Sequence, residues 1–265
     1  METLILDRRP SGVATLTLNR PHKKNAINSV MWTELLEVFS TFGKGDNERV
    51  LVMTGAEGDF CSGADLAEGR DRAAEDPPPP RRHQLDRMHD VSKVILALHQ
   101  ISVPVIAKVD GVAVGGGCNL ALGCDLIVAS QRARFSEIFA RRGLSLDCGG
   151  SWLLPRLVGM HKAKELALLA EVISADEAER IGIVNRVVPL EELDAFVDEW
   201  ATRLAEGAPL ALKMSKRMLT DAFSYSLNEA LDAEAMAQTV NFGADDASEA
   251  INAFLEKRQP IFQGS

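Results

Sequence analysis

The sequence of 265 residues contains few aromatic residues and few cysteines. Aromatic residues make up 5% of the chain, and the four cysteines, at positions 61, 118, 124 and 148, form no Cys-x-x-Cys pair. Asn-x-Ser/Thr sequons are also missing. These absences argue against a disulfide framework, a zinc knuckle and a glycosylated surface, so we expect small, buried, reduced thiols.

The chain also lacks an excess of positive charge and any long apolar run. Its 38 acidic residues outnumber 29 lysines and arginines, giving a formal net charge of −9, which disfavours binding to nucleic acid by phosphate neutralisation. Uninterrupted apolar segments stay below the roughly 18 residues of a membrane helix, and charge and proline follow Met1 too early for a signal peptide. We expect a cytoplasmic protein with no nucleic-acid or membrane partner.

The periodicity of apolar residues predicts alternating strands and helices over most of the chain. The strands are predicted at 4–6 and 13–18, forming a β-hairpin, and at 49–54, 103–109 and 125–129. The helices between them are predicted at 29–42 and 85–101. Strands joined by crossover helices indicate an α/β domain with parallel pairing.

After about residue 195 only helical periodicity is found, over 193–205, 208–220, 227–240 and 247–257. We therefore predict a core domain over residues 1–195 and a helical C-terminal region over 196–265. The segment 67–82 fits neither period. It contains four consecutive prolines and little apolar content, which is typical of a surface loop.

A run of three glycines, Gly115 to Gly117, follows a buried strand and leads directly into a helix. Glycines at such a turn let backbone N–H groups approach a ligand, and the helix N-terminus adds partial positive charge. The sixth position from Gly115 is Leu120, so this is not a dinucleotide fingerprint, and no Gly-Lys-Ser/Thr follows for a P-loop. A tight turn that needs glycine only for packing is the alternative.

A second glycine turn lies at residues 59–66, after the strand that ends near Gly55. Alone it is weak evidence, because strand-to-loop turns of this composition are common. Together, the two turns suggest that two backbone N–H groups converge on one carbonyl oxygen. That geometry stabilises an enolate or a tetrahedral intermediate.

In their order and spacing, these motifs resemble the enoyl-CoA hydratase/isomerase superfamily, also called the crotonase family. The similar segments cover nearly the whole chain and lie at 19–21, 25–28, 60–66, 111–117, 124–126 and 208–216. The resemblance implies an α/β fold, a crotonase-like spiral of ββα repeats with a helical C-terminal trimerisation region. It also implies an acyl-CoA thioester substrate, a homotrimer or hexamer, and no cofactor, since CoA is part of the substrate.

The resemblance further implies an oxyanion hole made by the backbone N–H groups of Ala64 and Gly116. It places substrate contacts at Lys24, Ala26, Ser62, Asp65, Leu66, Gly115, Asn119 and Phe139. The pair Lys23-Lys24 would contact a CoA phosphate, although a solvated basic surface explains the pair equally well.

The sequence departs from the family pattern at two positions. Hydratases of this family use two glutamates to hold and activate water, and here Asn119 and Phe139 stand in their places. Neither side chain can accept a proton as a carboxylate would. Glu137 lies two residues too early, and a shift that rescued it would break the otherwise gapless match through Gly143.

Asp147 is the better candidate for the base. Its surroundings, residues 143–156, are similar to those of a subgroup of isomerases that includes the ring-epoxide isomerase of phenylacetyl-CoA degradation, although Leu146 replaces the usual proline. Apolar neighbours are expected to raise the pKa of Asp147 toward neutrality by desolvation. The alternative is that Asp147 only caps the helix predicted to begin near Gly150.

The leading hypothesis is an enzyme that shifts a double bond or ring system in an acyl-CoA thioester through an enolate, with Asp147 as the proton shuttle. An enoyl-CoA hydratase of fatty-acid oxidation is the first alternative. A non-catalytic acyl-CoA-binding protein and a hydrolase remain open as well.

Overall fold

The computed structural model describes residues 1–45, 47–68 and 83–265. The strands are β1 Leu4–Arg8, β2 Val13–Leu18, β3 Val50–Gly55, β4 Val105–Val109, β5 Val112–Val114, β6 Leu126–Ser130, β7 Arg134–Ser136, β8 Ile173–Ser174 and β9 Arg186–Val188. The helices are α1 Ser29–Thr41, α2 Gln84–His99, α3 Gly116–Leu122, α4 Gly150–Leu169, α5 Ala175–Arg180, α6 Leu193–Ala205, α7 Pro209–Asp221, α8 Leu227–Phe242 and α9 Asp245–Glu256.

The larger of two sheets has the strand order β1-β2-β3-β4-β6-β9. The predicted β-hairpin is confirmed, because β1 and β2 pair antiparallel with Leu4 opposite Leu18. The other neighbours pair parallel, as the crossover pattern predicted. The smaller sheet has the order β5-β7-β8, with β5 parallel to β7. The predicted α/β fold is therefore confirmed.

Alternate residues of the central strands supply two separate apolar cores. Leu51 and Met53 of β3 face one core, together with α1 and α2. Val50 and Val52 face the other, where Val197 of α6 packs against the sheet. This alternation follows from the two-residue period of a strand. Both faces of β3 are buried, which explains its continuous apolar sequence.

The segment before the small sheet brings two distant parts of the chain together. The carbonyl oxygen of Cys61 accepts a hydrogen bond of 3.0 Å from the Val114 N–H, and the Cys61 N–H donates to Val112 at 2.9 Å. Cys61 therefore pairs with β5 along its edge, in parallel orientation opposite Ala113. The turn that follows Cys61 is consequently held beside the turn that follows β5.

Helix α6 runs across residue 195, where the sequence suggested a boundary, and packs on the large sheet. The division into regions 1–195 and 196–265 stays a prediction. Among the described residues, no helix is both long and apolar enough to span a membrane. The predicted surface loop 67–82 falls outside the described residues except for Ala67 and Glu68.

Candidate active site

The first glycine turn is fixed by hydrogen bonds to residues 20–27. The Ile27 N–H donates to the Gly63 carbonyl at 2.8 Å, and the Asp65 N–H donates to the Ile27 carbonyl at 2.9 Å. The carboxylate of Asp65 accepts a hydrogen bond of 2.9 Å from the guanidinium of Arg20 in a largely buried ion pair. These contacts place the backbone of Ala64 between two anchored neighbours.

The second glycine turn connects β5 to α3. Gly115 has φ +55° and precedes the helix, and its N–H donates to the Ser136 carbonyl at 2.8 Å. A side chain is disfavoured at this backbone conformation, which explains the glycine. Gly116 then begins α3, so its N–H is one of the first-turn donors that a helix leaves without an internal partner.

The two turns lie against each other. A Cβ atom on Gly63 would lie 3.5 Å from the Gly116 nitrogen and only 2.8 Å from the Val114 carbonyl oxygen. No acceptor in the described part of the chain takes a hydrogen bond from the N–H of Ala64 or of Gly116. The structure thus places the two turns that carry the suggested donors against each other, and neither N–H group has an acceptor among the described residues.

Asp147 lies in the segment between the 3₁₀ turn Ile138–Arg142 and helix α4. It does not cap α4 through its side chain: the residue before the helix is Gly149, in a left-handed conformation with φ +80°, and no side-chain hydrogen bond caps the first turn. The capping alternative is therefore wrong. Burial raises the pKa of Asp147, as expected, and the hydrogen bond from the Cys148 thiol partly opposes the shift.

The segment that carries Asp147 reaches both other parts of the site. A Cβ on Gly116 would lie 3.3 Å from the Cys148 sulfur. The Nδ2 atom of Asn119 donates a hydrogen bond of 3.0 Å to the Asp147 carbonyl oxygen. The segment that carries the candidate base therefore packs against the first turn of α3, which begins with the candidate donor Gly116.

Glu137 is a residue of this cluster that sequence reasoning did not select. It is buried, and its Oε2 atom accepts a hydrogen bond of 3.3 Å from the same Asn119 amide. Burial raises the pKa of Glu137 to about 7, despite hydrogen bonds from Cys118 and Asn119 that lower it, and the charge of Asp147 raises it further. Its place in the cluster follows from the register of β5 and β7, which the sequence does not show: Val114 is opposite Ser136, so Gly115 and Glu137 follow their strands at one edge.

The remaining residues predicted to contact the substrate differ in burial and in their contacts. Phe139 is buried, and its ring approaches the position that a Cβ on Gly115 would occupy, at 3.7 Å. Ala26 is also buried, whereas Leu66 is exposed. The Ser62 hydroxyl donates to the Lys23 carbonyl at 3.2 Å, so the exposed lysine pair adjoins the first turn. Lys24 itself pairs with Asp59 at 3.5 Å, with most of its side chain exposed.

The arrangement combines hydrogen-bond donors with groups that can carry protons. Two backbone N–H groups can stabilise negative charge on one oxygen, and Asp147 can accept and return a proton beside them. The described residues contain no cluster of His, Cys, Asp and Glu that could hold a metal ion. A groove of about 610 Å³ lies elsewhere, between the large sheet and α6, and none of the predicted site residues lines it.

Comparison with known proteins agrees with this architecture. A family model described as enoyl-CoA hydratase/isomerase matches residues 8–265. The 1,2-epoxyphenylacetyl-CoA isomerase of Escherichia coli is 37% identical over 264 residues, which is 100% of each chain. The short-chain-enoyl-CoA hydratase of Clostridium acetobutylicum is 36% identical over 262 residues, covering 98% of this chain and 97% of the other.

Solved structures lead to the same family. The crystal structure of an enoyl-CoA hydratase from Bacillus anthracis superposes with a TM-score of 0.90 at 31% identity, covering 99% of this chain and 100% of the other. The match of both sequence and fold thus extends from end to end. The chain belongs to the enoyl-CoA hydratase/isomerase family.

Proposed function

We propose that this protein is an acyl-CoA isomerase that moves a double bond or rearranges a ring system through an enolate. The observation that carries the proposal is that Asp147, a partly buried carboxyl group, lies on a segment that packs against the first turn of α3, where the Gly116 N–H has no internal partner. Burial raises the pKa of Asp147 above its ordinary value, which makes its carboxylate a stronger base than an exposed aspartate. Family membership supports an acyl-CoA thioester as substrate.

The reaction needs one base and one oxyanion site. The thioester oxygen accepts hydrogen bonds from the N–H groups of Ala64 and Gly116. The carboxylate of Asp147 removes a proton from a carbon conjugated with the thioester, and the electron pair moves onto the oxygen. The protonated Asp147 then returns the proton to a different carbon, so the thioester bond stays intact and no electrons are exchanged with another molecule.

Asp147→Asn tests the proposal, because it replaces the carboxylate with an amide of nearly the same shape. We would measure exchange of α- or γ-protons into deuterated water on a panel of enoyl-CoA thioesters, together with calorimetric binding of the thioesters. Loss of exchange with binding retained is expected. Full exchange in the variant would overturn the assignment of Asp147. Binding without exchange in the wild-type protein would favour the non-catalytic acyl-CoA-binding alternative.

Hydration is the second candidate, favoured by the carboxyl group of Glu137 beside Asp147 and by the hydratase names of several relatives. Water addition needs a base for the water and an acid for the substrate carbon, which two carboxyl groups can provide. Since the usual glutamates are replaced by Asn119 and Phe139, we expect slow loss of crotonyl-CoA absorbance. Turnover near the diffusion limit would reverse the preference for isomerisation, and release of free CoA would indicate a hydrolase.

We further propose a homotrimer or hexamer assembled through the C-terminal helices, in the cytoplasm. Large apolar side chains are exposed on α7, α8 and α9, including Leu219, Leu227, Leu231, Met236, Phe242, Phe254 and Leu255. Exposed apolar area of this kind marks an interaction surface. Four buried free cysteines suit a reducing compartment. A monomer in light scattering at micromolar concentration would contradict the assembly.

A further inference from the structure

Asn119 connects the carboxyl group of Glu137 to the main chain of Asp147, on a different segment. Its Nδ2 atom donates both to Glu137 Oε2, at 3.3 Å, and to the backbone carbonyl of Asp147, at 3.0 Å. Among the described residues, three buried oxygens of this cluster have no hydrogen-bond partner, one each on Asn119, Glu137 and Asp147. Unpartnered buried oxygens are rare because they cost free energy, and their grouping points to a functional cluster.

The charges around this cluster do not favour two carboxylates. The titratable groups that face Glu137 are Cys118 on α3, and Asp147 and Cys148 on the segment before α4. Neither carboxyl group forms an ion pair with a lysine or arginine in the described parts of the chain. Two neighbouring carboxyl groups without a cation, in a site shielded from water, resist simultaneous ionisation.

The difference in burial decides which carboxyl group keeps the proton. Glu137 is 3% exposed, whereas Asp147 is only partly buried and receives a hydrogen bond from the Cys148 thiol. Both carboxyl groups receive hydrogen bonds that stabilise the charged form, Glu137 from Cys118 and Asn119, but the deeper burial of Glu137 penalises its charged form more. Asp147 therefore ionises first.

We propose that Glu137 is a positioning residue that remains protonated while Asp147 is ionised, so that the Asn119-linked pair carries one negative charge. The consequence of this protonation state for catalysis rests on the proposed function. Enolate formation moves that one charge from Asp147 to the thioester oxygen. With Glu137 ionised, the site would carry two negative charges both before and after this step, and repulsion by the second charge would oppose the build-up of charge on the thioester oxygen.

The first test needs no substrate. In protein labelled with ¹³C at the glutamate carboxyl carbon, we expect one resonance to titrate with a midpoint near pH 7, in line with the burial of Glu137. The resonance should be missing in Glu137→Gln and should titrate at lower pH in Asp147→Asn, where the neighbouring charge is removed. Titration of Glu137 near its ordinary value of 4.5 would overturn the proposal.

The second test is the pH profile of kcat/KM for proton exchange. In the wild-type protein we expect a fall of about tenfold per pH unit above the Glu137 midpoint. Glu137→Gln keeps an acceptor for Asn119 and should remove this fall, so that kcat/KM stays constant above the wild-type midpoint. Glu171→Gln changes an exposed glutamate and should keep the wild-type profile. An unchanged fall in Glu137→Gln would overturn the role of Glu137. The NMR titration of Glu137 does not depend on turnover. Its result therefore tests the protonation of Glu137 even where Asp147 proves not to be the base.

Discussion

The side-chain amide of Asn119 donates a hydrogen bond of 3.0 Å to the backbone carbonyl of Asp147. The bond connects the first turn of helix α3 to the segment that carries the candidate base. Asn119 thus donates a hydrogen bond to the main chain of the candidate base, at a position where we expect a glutamate in the family's hydratases. The position of Asp147 depends on a contact to its main chain.

Asn119→Ala should remove this support. The Asp147 carbonyl would keep only the hydrogen bond of 2.9 Å from the Gly150 N–H, and Glu137 only that from the Cys118 thiol. Since each acceptor keeps one donor, we expect a cost of about 0.5–1.5 kcal/mol in the free energy of unfolding per lost hydrogen bond. We expect kcat for exchange to fall more than KM changes, because the base moves while the backbone donors remain. Asn28→Ala is a matched control, since it removes the cap of α1 and costs about 1 kcal/mol away from the cluster. Equal kcat in both variants would contradict the role of Asn119.

Gly116→Val should disable the oxyanion hole. A Cβ at this position would already lie 3.3 Å from the Cys148 sulfur, and the additional methyl groups require the turn to shift. Removing one oxyanion donor costs roughly 2.7–4 kcal/mol, so we expect kcat for exchange to fall about 10²–10³-fold. At Gly45, a Cβ has its nearest contact at 3.6 Å, with a flexible side chain, so Gly45→Val is the control. A folded Gly116→Val protein with full activity would place the oxyanion hole elsewhere.

Glu137 should make the folded protein less stable as the pH rises. Its pKa is about 7 in the folded protein and about 4.5 when unfolded, so the folded state holds an extra proton between these values. The corresponding stability is complete below pH 4.5 and is lost through pH 7, by roughly 3 kcal/mol in total. Glu137→Gln should therefore gain stability relative to the wild type between pH 5 and pH 8. Urea unfolding at fixed protein concentration measures this, and parallel stability curves would contradict it.

Arg20→Met should destabilise the turn that carries Ala64. It removes the cation from a largely buried ion pair and leaves Asp65 with backbone N–H donors alone, such as Ala67 at 3.1 Å, so we expect a cost of at most about 3–5 kcal/mol. Burial alone would raise the pKa of Asp65, but the hydrogen bond and charge of Arg20 outweigh it and hold the pKa below 3.8. The stabilisation is therefore present above pH 3.8 and lost in stronger acid.

The exposed pair of Arg9 and Asp198 provides the comparison for that variant. Arg9→Met should change the free energy of unfolding by at most about 1 kcal/mol, because surface ion pairs are screened by water. Thermal unfolding and proton exchange would be measured for both variants. A similar stability loss in the two proteins would mean that burial does not distinguish these pairs.

Long elements were predictable from the sequence, and short ones were not. The hairpin and strand β3 carry enough alternating or continuous apolar residues to show their period. Strands such as β7, Arg134–Ser136, and β8, Ile173–Ser174, are too short to show one. Their pairing depends on contacts across the fold, which a local pattern does not contain.

The same distinction applies to the candidate site. The glycine turns were visible because a positive φ, as at Gly115, restricts the residue type locally. The inclusion of Glu137 was not visible, since it depends on the register of β5 and β7 and on a shared contact with Asn119. Glu137 is disfavoured in the sequence because it lies two residues before the family's second glutamate position. Position along the chain does not show that its side chain contacts Asn119.

The two candidate oxyanion donors are main-chain groups, whereas the proton-carrying groups are side chains. Changes of residue type at Asn119, Glu137 or Asp147 can exchange the acid–base chemistry without removing the N–H groups that activate the carbonyl. In the proposed mechanism, activation of the substrate depends on the path of the main chain, and the choice of reaction depends on a few replaceable side chains. Such a scaffold can evolve a new reaction by point substitution while it keeps its ability to stabilise an enolate.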